Sequence, residues 1–555
     1  MTEKLLIIGG VAGGATAAAR ARRLNEKVQI VMFERGPYIS FANCGLPYHI
    51  GGVIKKRDDL LVTTAEMFRK RYGVDVRVKT EVLAIDRSNR TVRAKNVETG
   101  EEYTESYDSI ILSPGAEPIR PPCEGIDAET IFTLRNIPDM DRINAYLDET
   151  PPAAAVVVGG GFIGLEMAEN LVFRGIKTTV VERLDQVMSP LDMDMANFVH
   201  GHLKEKGVEL VLGDGICAFE KKDGRLVVAT DGGKSIACDM VVLSVGIKPE
   251  TRLAMDAGLS LGETGAILVD ATMRTSDPCI YAVGDAVEVH DYITGRKTIT
   301  ALAGPANKQG RIAADNVMRR PSIFYGTLGT AIVKIFDLTV AQTGLNEKMA
   351  RKWGTACLVS YTHSGSHAGY YPGGETISIK LLFSPHNGRI LGAQMVGKDG
   401  VDKRIDVIAT AIYAKMTVFD LQNLELAYAP PYGSAKDPVN IAGYVASNIL
   451  KDDVENIHIH ELKSLDPDTY VLLDVRSKIE LKISGQIEGA LHIHIDDLRE
   501  RLEELDREKI YITYCAVGYR AYLAYRLLTQ SGFKAKNLSG GYETYMMASG
   551  ILASG

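Results

Sequence analysis

The chain has 555 residues, 46% of them hydrophobic and 24% charged, with a formal net charge of −7. At roughly 100–200 residues per domain this length predicts several domains, and so small a charge gives no bulk electrostatic reason to expect nucleic acid or an acidic membrane surface as partner. The first apolar run, LLII at residues 5–8, is shorter than the apolar core of about 7–15 residues that a signal peptide needs, and no run approaches the ~20 residues of a membrane span; a cytoplasmic protein is expected.

The opening segment KLLIIGGVAGGATAAARARRL reads as a buried strand, a glycine turn and a helix. Such a turn presents backbone N–H groups at a helix N-terminus, which suits a pyrophosphate. Gly9, Gly13 and Gly14 carry the pattern, with Val11 where the middle glycine of GxGxxG would stand. A second strand, VQIVMFERG, brings Glu34 twenty residues after Gly14, the position from which a carboxylate reaches ribose hydroxyls. SFANCGLPYH follows and holds Cys44, with no second cysteine before Cys123.

The fingerprint then recurs. AAAVVVGGGFIGLEMAENLVFRG has Gly159, Gly161 and Gly164 in the full spacing, and TTVVERL supplies Glu182 eighteen residues later. An acid there binds the ribose diol and repels a 2′-phosphate, favouring NADH over NADPH, although Arg183 beside it leaves NADPH possible. Two dinucleotide sites imply that a second cofactor accepts the hydride. Strand–turn segments IILSPGAEP and IYAVGDA lie between and after the two fingerprints, the latter carrying Asp285, placed to hold a polyol hydroxyl. The seven cysteines show no disulfide framework or CxxC spacing, and His363 and His367 in HSGSH lie in Gly/Ser-rich sequence, so no metal site is expected. HIH at 458–460 and 492–494 reads as strand alternation.

The order of fingerprint, SPGAEP, second fingerprint and AVGDA resembles the two-dinucleotide-binding flavoprotein disulfide reductases over about residues 1–445. The resemblance implies FAD on the first unit, NAD(P)H on the second and Asp285 against the flavin ribitol. SFANCGLPY is similar to the single-cysteine branch, most closely the coenzyme A disulfide reductases. That branch implies Cys44 as the redox cysteine, attacking an S–S bond and carrying a mixed disulfide or persulfide. A thiolate is required, and a helix N-terminus after Cys44 or a nearby cation would favour it. HAGYYPGG and LAYAPPYGSAKDP resemble dimerisation segments whose tyrosines reach the partner subunit's cysteine, which implies a homodimer with Tyr428 and Tyr370 as proton sources; Tyr371 and Tyr432 are neighbours that could be confused with them. For coenzyme A the resemblance implies Arg20 and Arg23, which share a helix face, together with Ser40, Asn43 and Lys436.

Near Ser447 the pattern changes. TYVLLDVRSKIE, GQIEGALHIHIDDL and KIYITYCAVGYRAYLAYRLL give a strand ending in Asp474-Val475-Arg476, then a strand, Cys515, a six-residue loop and an amphipathic helix. This resembles a single rhodanese domain, with QIEGA where HIPGA is usual. It implies Cys515 as persulfide carrier in a nest of N–H groups and Arg520 as loop stabiliser. Ala516 supplies no cation after Cys515, which disfavours dianionic thiosulfate as sulfur donor.

The expected fold class is therefore α/β: two Rossmann-like dinucleotide-binding domains, an α+β dimerisation domain and a C-terminal α/β rhodanese domain. The boundaries expected are 1–149 and 246–322 for the FAD domain, 150–245 for NAD(P)H, 323–445 for dimerisation, 446–455 for a linker and 456–555 for the rhodanese. The expected function is FAD-dependent reduction by NADH of persulfides, polysulfides or coenzyme A disulfide. An NADH oxidase or peroxidase cycling Cys44 through a sulfenic acid, and a sulfur-carrier or redox-sensing module, are the alternatives.

Overall fold

The computed structural model describes residues 3–222 and 224–550. The chain forms two compact units, Met1–Asp185 with Gly207–Gly329, and Gln186–Lys206 with Thr330–Gly555.

The first unit contains two parallel five-stranded sheets of the same design. In one, the order is Ile280–Ala282, Ser109–Leu112, Lys4–Ile8, Gln29–Phe33, Asp75–Arg77. In the other it is Ile131–Thr133, Met240–Leu243, Ala154–Val158, Lys177–Glu182, Glu209–Leu212. Each glycine fingerprint thus leaves the central strand of its sheet. These strands are continuous apolar runs because both faces are covered, in the second sheet by Phe219, Leu226 and Val228 of a three-stranded antiparallel sheet as well as by helices. Leu5, Leu6 and Ile7 are buried, as are Val156, Val157 and Val158; each such side chain withdrawn from water contributes roughly 2 kcal/mol. The first fingerprint helix, Ala12–Leu24, presents Ala17, Ala18 and Ala21 to the interior. These small residues allow close packing on the helix Ala303–Val317, where a Cβ on Gly310 would come within 2.3 Å of the Gly13 carbonyl oxygen.

The second unit carries an antiparallel sheet of five strands in the order Ala331–Ile335, Leu338–Gly344, Ile390–Gly397, Thr376–Phe383, Leu358–Gly365. The helices Val401–Tyr413 and Pro438–Leu450 accompany it. A parallel sheet of five strands follows, Asn456–Ile457, Lys534–Leu538, Ile510–Tyr514, Tyr470–Asp474 and Leu491–His492 in spatial order. Its two faces build separate cores, one around Leu473, Tyr511 and Leu528, the other around Leu472, Ile512 and Leu538. The helix Met193–Glu205 belongs to this unit although its residues fall in sequence between strands of the first. Its anchor is Lys380, buried on the antiparallel sheet and ion-paired with Asp192, Asp194 and Glu347. HIH at 458–460 is not strand: His458 caps the short helix Ile459–Leu462, because Glu461 reaches back to the His458 N–H.

Candidate functional site

The first fingerprint forms the turn that the spacing predicts. Gly9 has φ +99°, and a Cβ there would lie 2.0 Å from the Ser113 carbonyl oxygen. A Cβ on Gly14 would lie 1.9 Å from the Gly9 oxygen. Ser113, from the SPGAEP segment, accepts the Gly14 N–H at 3.1 Å. Glu34 accepts the Gly10 N–H at 2.9 Å and the Gly36 N–H at 2.7 Å, fixing the carboxylate at the end of the second strand. The second fingerprint repeats each element. Gly159 has φ +106° and approaches the Ser244 oxygen, Gly164 approaches the Gly159 oxygen, and Glu182 accepts the Gly160 N–H at 2.7 Å. A Cβ on Gly161 would meet nothing within 4 Å. The middle position of this turn therefore has room for a side chain, which explains how Val11 stands at its counterpart. Both cradles are of the kind that admits a pyrophosphate and a ribose diol and excludes side chains at the crossing glycines, so the residues present fit two dinucleotides.

Asp285 lies in the turn Gly284–Ala286 after its strand, held above the ordinary carboxyl range by burial and drawn partly back by Arg135. Cys44 occupies the turn Asn43–Gly45 before the short helix Leu46–Ile50. Its thiol is open to solvent on one side and crowded by protein on the other. Desolvation pushes it above its ordinary range, the Glu166 and Asp285 carboxylates add to that, and its own backbone N–H opposes them. The helix start after Cys44 is present, but the thiol moves up rather than down, with desolvation the largest cause. Sequence reading missed Glu166 and Tyr48. The Tyr48 hydroxyl donates to Glu166 at 3.3 Å, and burial pushes the Glu166 carboxyl up to about 7. The signal was there: Tyr48 closes the CGLPY segment, and Glu166 lies two residues beyond Gly164 on the fingerprint helix.

The residues assigned to coenzyme A are not gathered into one pocket by direct contacts. Ser40 holds a left-handed conformation with φ 46° and accepts the Val62 N–H. Asn43 donates to the Arg135 carbonyl at 3.2 Å. Arg20 is ion-paired with Asp315 at 2.6 Å, whereas Arg23 is exposed. Lys436, in the second unit, is exposed beside Asp437, which caps the helix Pro438–Leu450. In the same unit Tyr370 and Tyr428 hydrogen-bond hydroxyl to hydroxyl at 2.7 Å while remaining 76% and 47% exposed. Tyr371 instead stacks edge-on against His367, and Tyr432 is exposed.

Cys515 directly follows the strand Ile510–Tyr514 and is buried. The Gly518 N–H donates to its sulfur at 3.1 Å, with Gly518 at φ 102° turning the loop into the helix Tyr519–Gln530. Arg520 holds Glu480 through two hydrogen bonds, which draws the Glu480 carboxyl down to about 2. Glu480 also makes the capping box of the helix Lys478–Ser484 with Ser477, tying that helix to the cysteine loop. The Asp474–Arg476 pair of the DVR segment is buried, and Arg476 lies 4.1 Å over the Tyr542 ring.

Two glycine cradles, each with a carboxylate at the end of the neighbouring strand, and a C-terminal cysteine loop define a two-dinucleotide oxidoreductase fused to a sulfur-handling domain. The chain belongs to the pyridine nucleotide-disulphide oxidoreductase family, whose model matches residues 3–310. Its dimerisation-domain model matches 330–437, and a rhodanese-like domain model matches 459–548. Among curated relatives, the coenzyme A disulfide reductase of Staphylococcus haemolyticus is 36% identical, over 80% of this chain and 100% of the relative. An NADH oxidase of Methanocaldococcus jannaschii is 37% identical, over 79% and 97%. Among solved structures, the reduced CoADR-RHD of Bacillus anthracis is 51% identical, covering 99% of this chain and 98% of that one, with a TM-score of 0.96. An NAD-dependent persulfide reductase from A. fulgidus is 41% identical, covering 98% and 100%, with a TM-score of 0.92.

Proposed function

We propose that this protein is an NADH-dependent, FAD-containing reductase of persulfides, polysulfides and coenzyme A disulfide, working through Cys44, with sulfane sulfur handled at Cys515. The observation that carries the reading is the pairing, in one chain, of a lone exposed cysteine behind a dinucleotide fingerprint with a buried cysteine whose sulfur accepts the Gly518 N–H. Gly9, Gly13, Gly14, Glu34 and Asp285 would hold FAD; Gly159, Gly161, Gly164 and Glu182 would hold the nicotinamide dinucleotide, Glu182 favouring NADH. When bound, the flavin supplies two-electron transfer between nicotinamide and a disulfide sulfur.

Cys44, as thiolate, attacks the S–S bond of the substrate; a Cys44–S bond forms, the substrate S–S bond breaks, and one thiolate leaves. The leaving thiolate takes a proton, for which the Tyr428 hydroxyl, polarised by its bond to Tyr370, is the donor we assign, acting in a homodimer. For a persulfide the overall balance is RSSH + NADH + H⁺ giving RSH + H₂S + NAD⁺. Arg23, Ser40, Asn43 and Lys436 are the coenzyme A contacts proposed; Arg20, committed to Asp315, serves by orienting the helix. The fused sulfurtransferase favours persulfide over plain disulfide as the physiological substrate, since it has no part in cleaving a disulfide. No helix among the described residues is long and apolar enough to cross a membrane. The test is NADH oxidation with coenzyme A persulfide, in which wild type releases sulfide and Cys44→Ser does not.

A second reading, an NADH oxidase cycling Cys44 through a sulfenic acid, draws on the similarity to the Methanocaldococcus protein. Peroxide or oxygen turnover exceeding persulfide turnover would select it.

A further inference from the structure

The loop that holds Cys515 rests on a turn that is fastened to a different part of the second unit. The Tyr542 N–H donates to the Cys515 carbonyl at 2.8 Å and the Glu543 N–H to the Ala516 carbonyl at 3.0 Å. Both donors lie at the start of the helix Gly541–Ala548. Contact is direct: Gly541 has φ +66°, and a Cβ there would lie 2.5 Å from the Cys515 carbonyl oxygen and 2.9 Å from the Gly518 nitrogen. In a planar trans peptide the carbonyl and the following N–H point in opposite directions. Pinning the oxygens of Cys515 and Ala516 therefore sets the direction of the Ala516 and Val517 N–H groups in the cysteine loop.

The same helix is bolted to the reductase side of the unit. Thr544 Oγ1 lies 2.7 Å from Nε2 of His363, and His363 Nδ1 lies 2.8 Å from Ser378 Oγ. His363 and Ser378 are register partners on adjacent strands of the antiparallel sheet. Both His363 and Thr544 are buried, and desolvation keeps the ring neutral by drawing its pKa down to about 4. One ring nitrogen then donates and the other accepts, and a hydroxyl complements either. Two residues before His363, Tyr361 packs so closely that a Cβ on Gly540 would meet its Cβ at 2.8 Å. Tyr361 also stacks edge-on against His458. At the far end of the helix, Asn197 donates to the Met547 carbonyl at 2.7 Å.

We infer that His363 and Thr544 are positioning residues for sulfur transfer at Cys515: the dimerisation sheet, through this buried contact, helps to hold the helix turn that orients the cysteine loop. The inference rests on the sulfur-transfer reading of Cys515 and assigns its precision to a residue outside the sulfurtransferase fold.

The test uses the full-length protein and measures thiocyanate formed from glutathione persulfide and cyanide, beside NADH-driven reduction of coenzyme A disulfide. Thr544→Val, which keeps the shape and removes the hydroxyl, is expected to lower the transfer kcat about tenfold by misaligning the loop, with the donor KM unchanged and the reductase rate intact. Thr544→Ser, which restores the hydroxyl, is expected to recover most of the loss. A Thr544→Val enzyme with the wild-type transfer kcat, or a Thr544→Ser enzyme as impaired as Thr544→Val, would overturn the inference. Should Thr544→Val not fold, His363→Leu carries the test with the same two readouts, loss of transfer kcat supporting the inference and an unchanged kcat overturning it. A wild-type enzyme that forms no thiocyanate while reducing the disulfide would remove the sulfur-transfer reading itself, and the inference with it.

Discussion

Cys44 works against its own surroundings. Desolvation and two carboxylates disfavour its thiolate, and Glu166, at about 7, is the one whose charge changes near physiological pH. Protonating Glu166 removes a negative charge that opposes ionisation of Cys44. Glu166→Gln is therefore expected to shift the pH profile of Cys44 alkylation downward by about 1 unit, the size of a unit charge acting across a partly desolvated site. Peptide-resolved alkylation rates between pH 6 and 10 check this, and an unchanged or upward-shifted profile would contradict it. Cys44 stands out in the sequence because it is a cysteine alone in a conspicuous motif. Its neighbours do not, since Tyr48 and Glu166 are far apart in the chain and only the packing of two short segments joins them. Arg20 shows the converse. Helical spacing correctly gives the face it shares with Arg23, but periodicity says nothing of Asp315, which claims its guanidinium from the helix Ala303–Val317.

At the scale of elements, the glycine turns were the most legible part, because their requirements are local. Strand, turn and helix follow one another within about twenty residues, and each crossing glycine is dictated by a carbonyl it must approach. Gly14→Ala would place a Cβ 1.9 Å from the Gly9 oxygen, whereas Gly161→Ala meets no atom within 4 Å. Gly14→Ala is expected to lower stability by about 1–3 kcal/mol and to yield protein with depleted flavin, while Gly161→Ala retains the apo-protein's stability. Flavin absorbance per chain and thermal unfolding distinguish them. The element least legible was the helical turn at 458–460, where alternation of His and Ile imitates a strand and the deciding contact is the Glu461 cap. In the cysteine loop, Glu480 gives Arg520 its partner and closes a capping box at once. Glu480→Gln keeps the cap geometry and removes the charge; sulfur transfer at Cys515 is expected to fall several-fold with NADH-driven disulfide reduction unchanged. Equal loss of both activities would show that Glu480 supports the fold rather than the loop.

Across the whole molecule, acid should be destabilising between about pH 6.5 and pH 4. His200 and His363 are both drawn down to about 4 by burial. In that window the unfolded chain binds protons that the native histidines do not, so stability rises with pH. Their contribution is complete above the unfolded pKa of about 6.5 and is lost as pH falls toward 4, up to roughly 3 kcal/mol for each ring. Glu166 acts in the opposite sense: its raised pKa stabilises at low pH and is lost as pH rises through about 7. Burial also lowers His202 and His458 and raises Asp285 and Glu543, so the test isolates one ring: His363→Gln should flatten the loss of stability on acidification. Thermal unfolding at pH 4.5 and 6.5 measures the slope in both proteins, and equal slopes would place the effect elsewhere.

The proposed activity comes down to one reaction at one sulfur, that of Cys44. Stopped-flow or steady-state assay of NADH consumed and sulfide released from coenzyme A persulfide by the full-length flavoprotein tests it most directly. One sulfide per NADH is expected from wild type and none from Cys44→Ser. NADH consumption without sulfide, or sulfide release undiminished by Cys44→Ser, would contradict it.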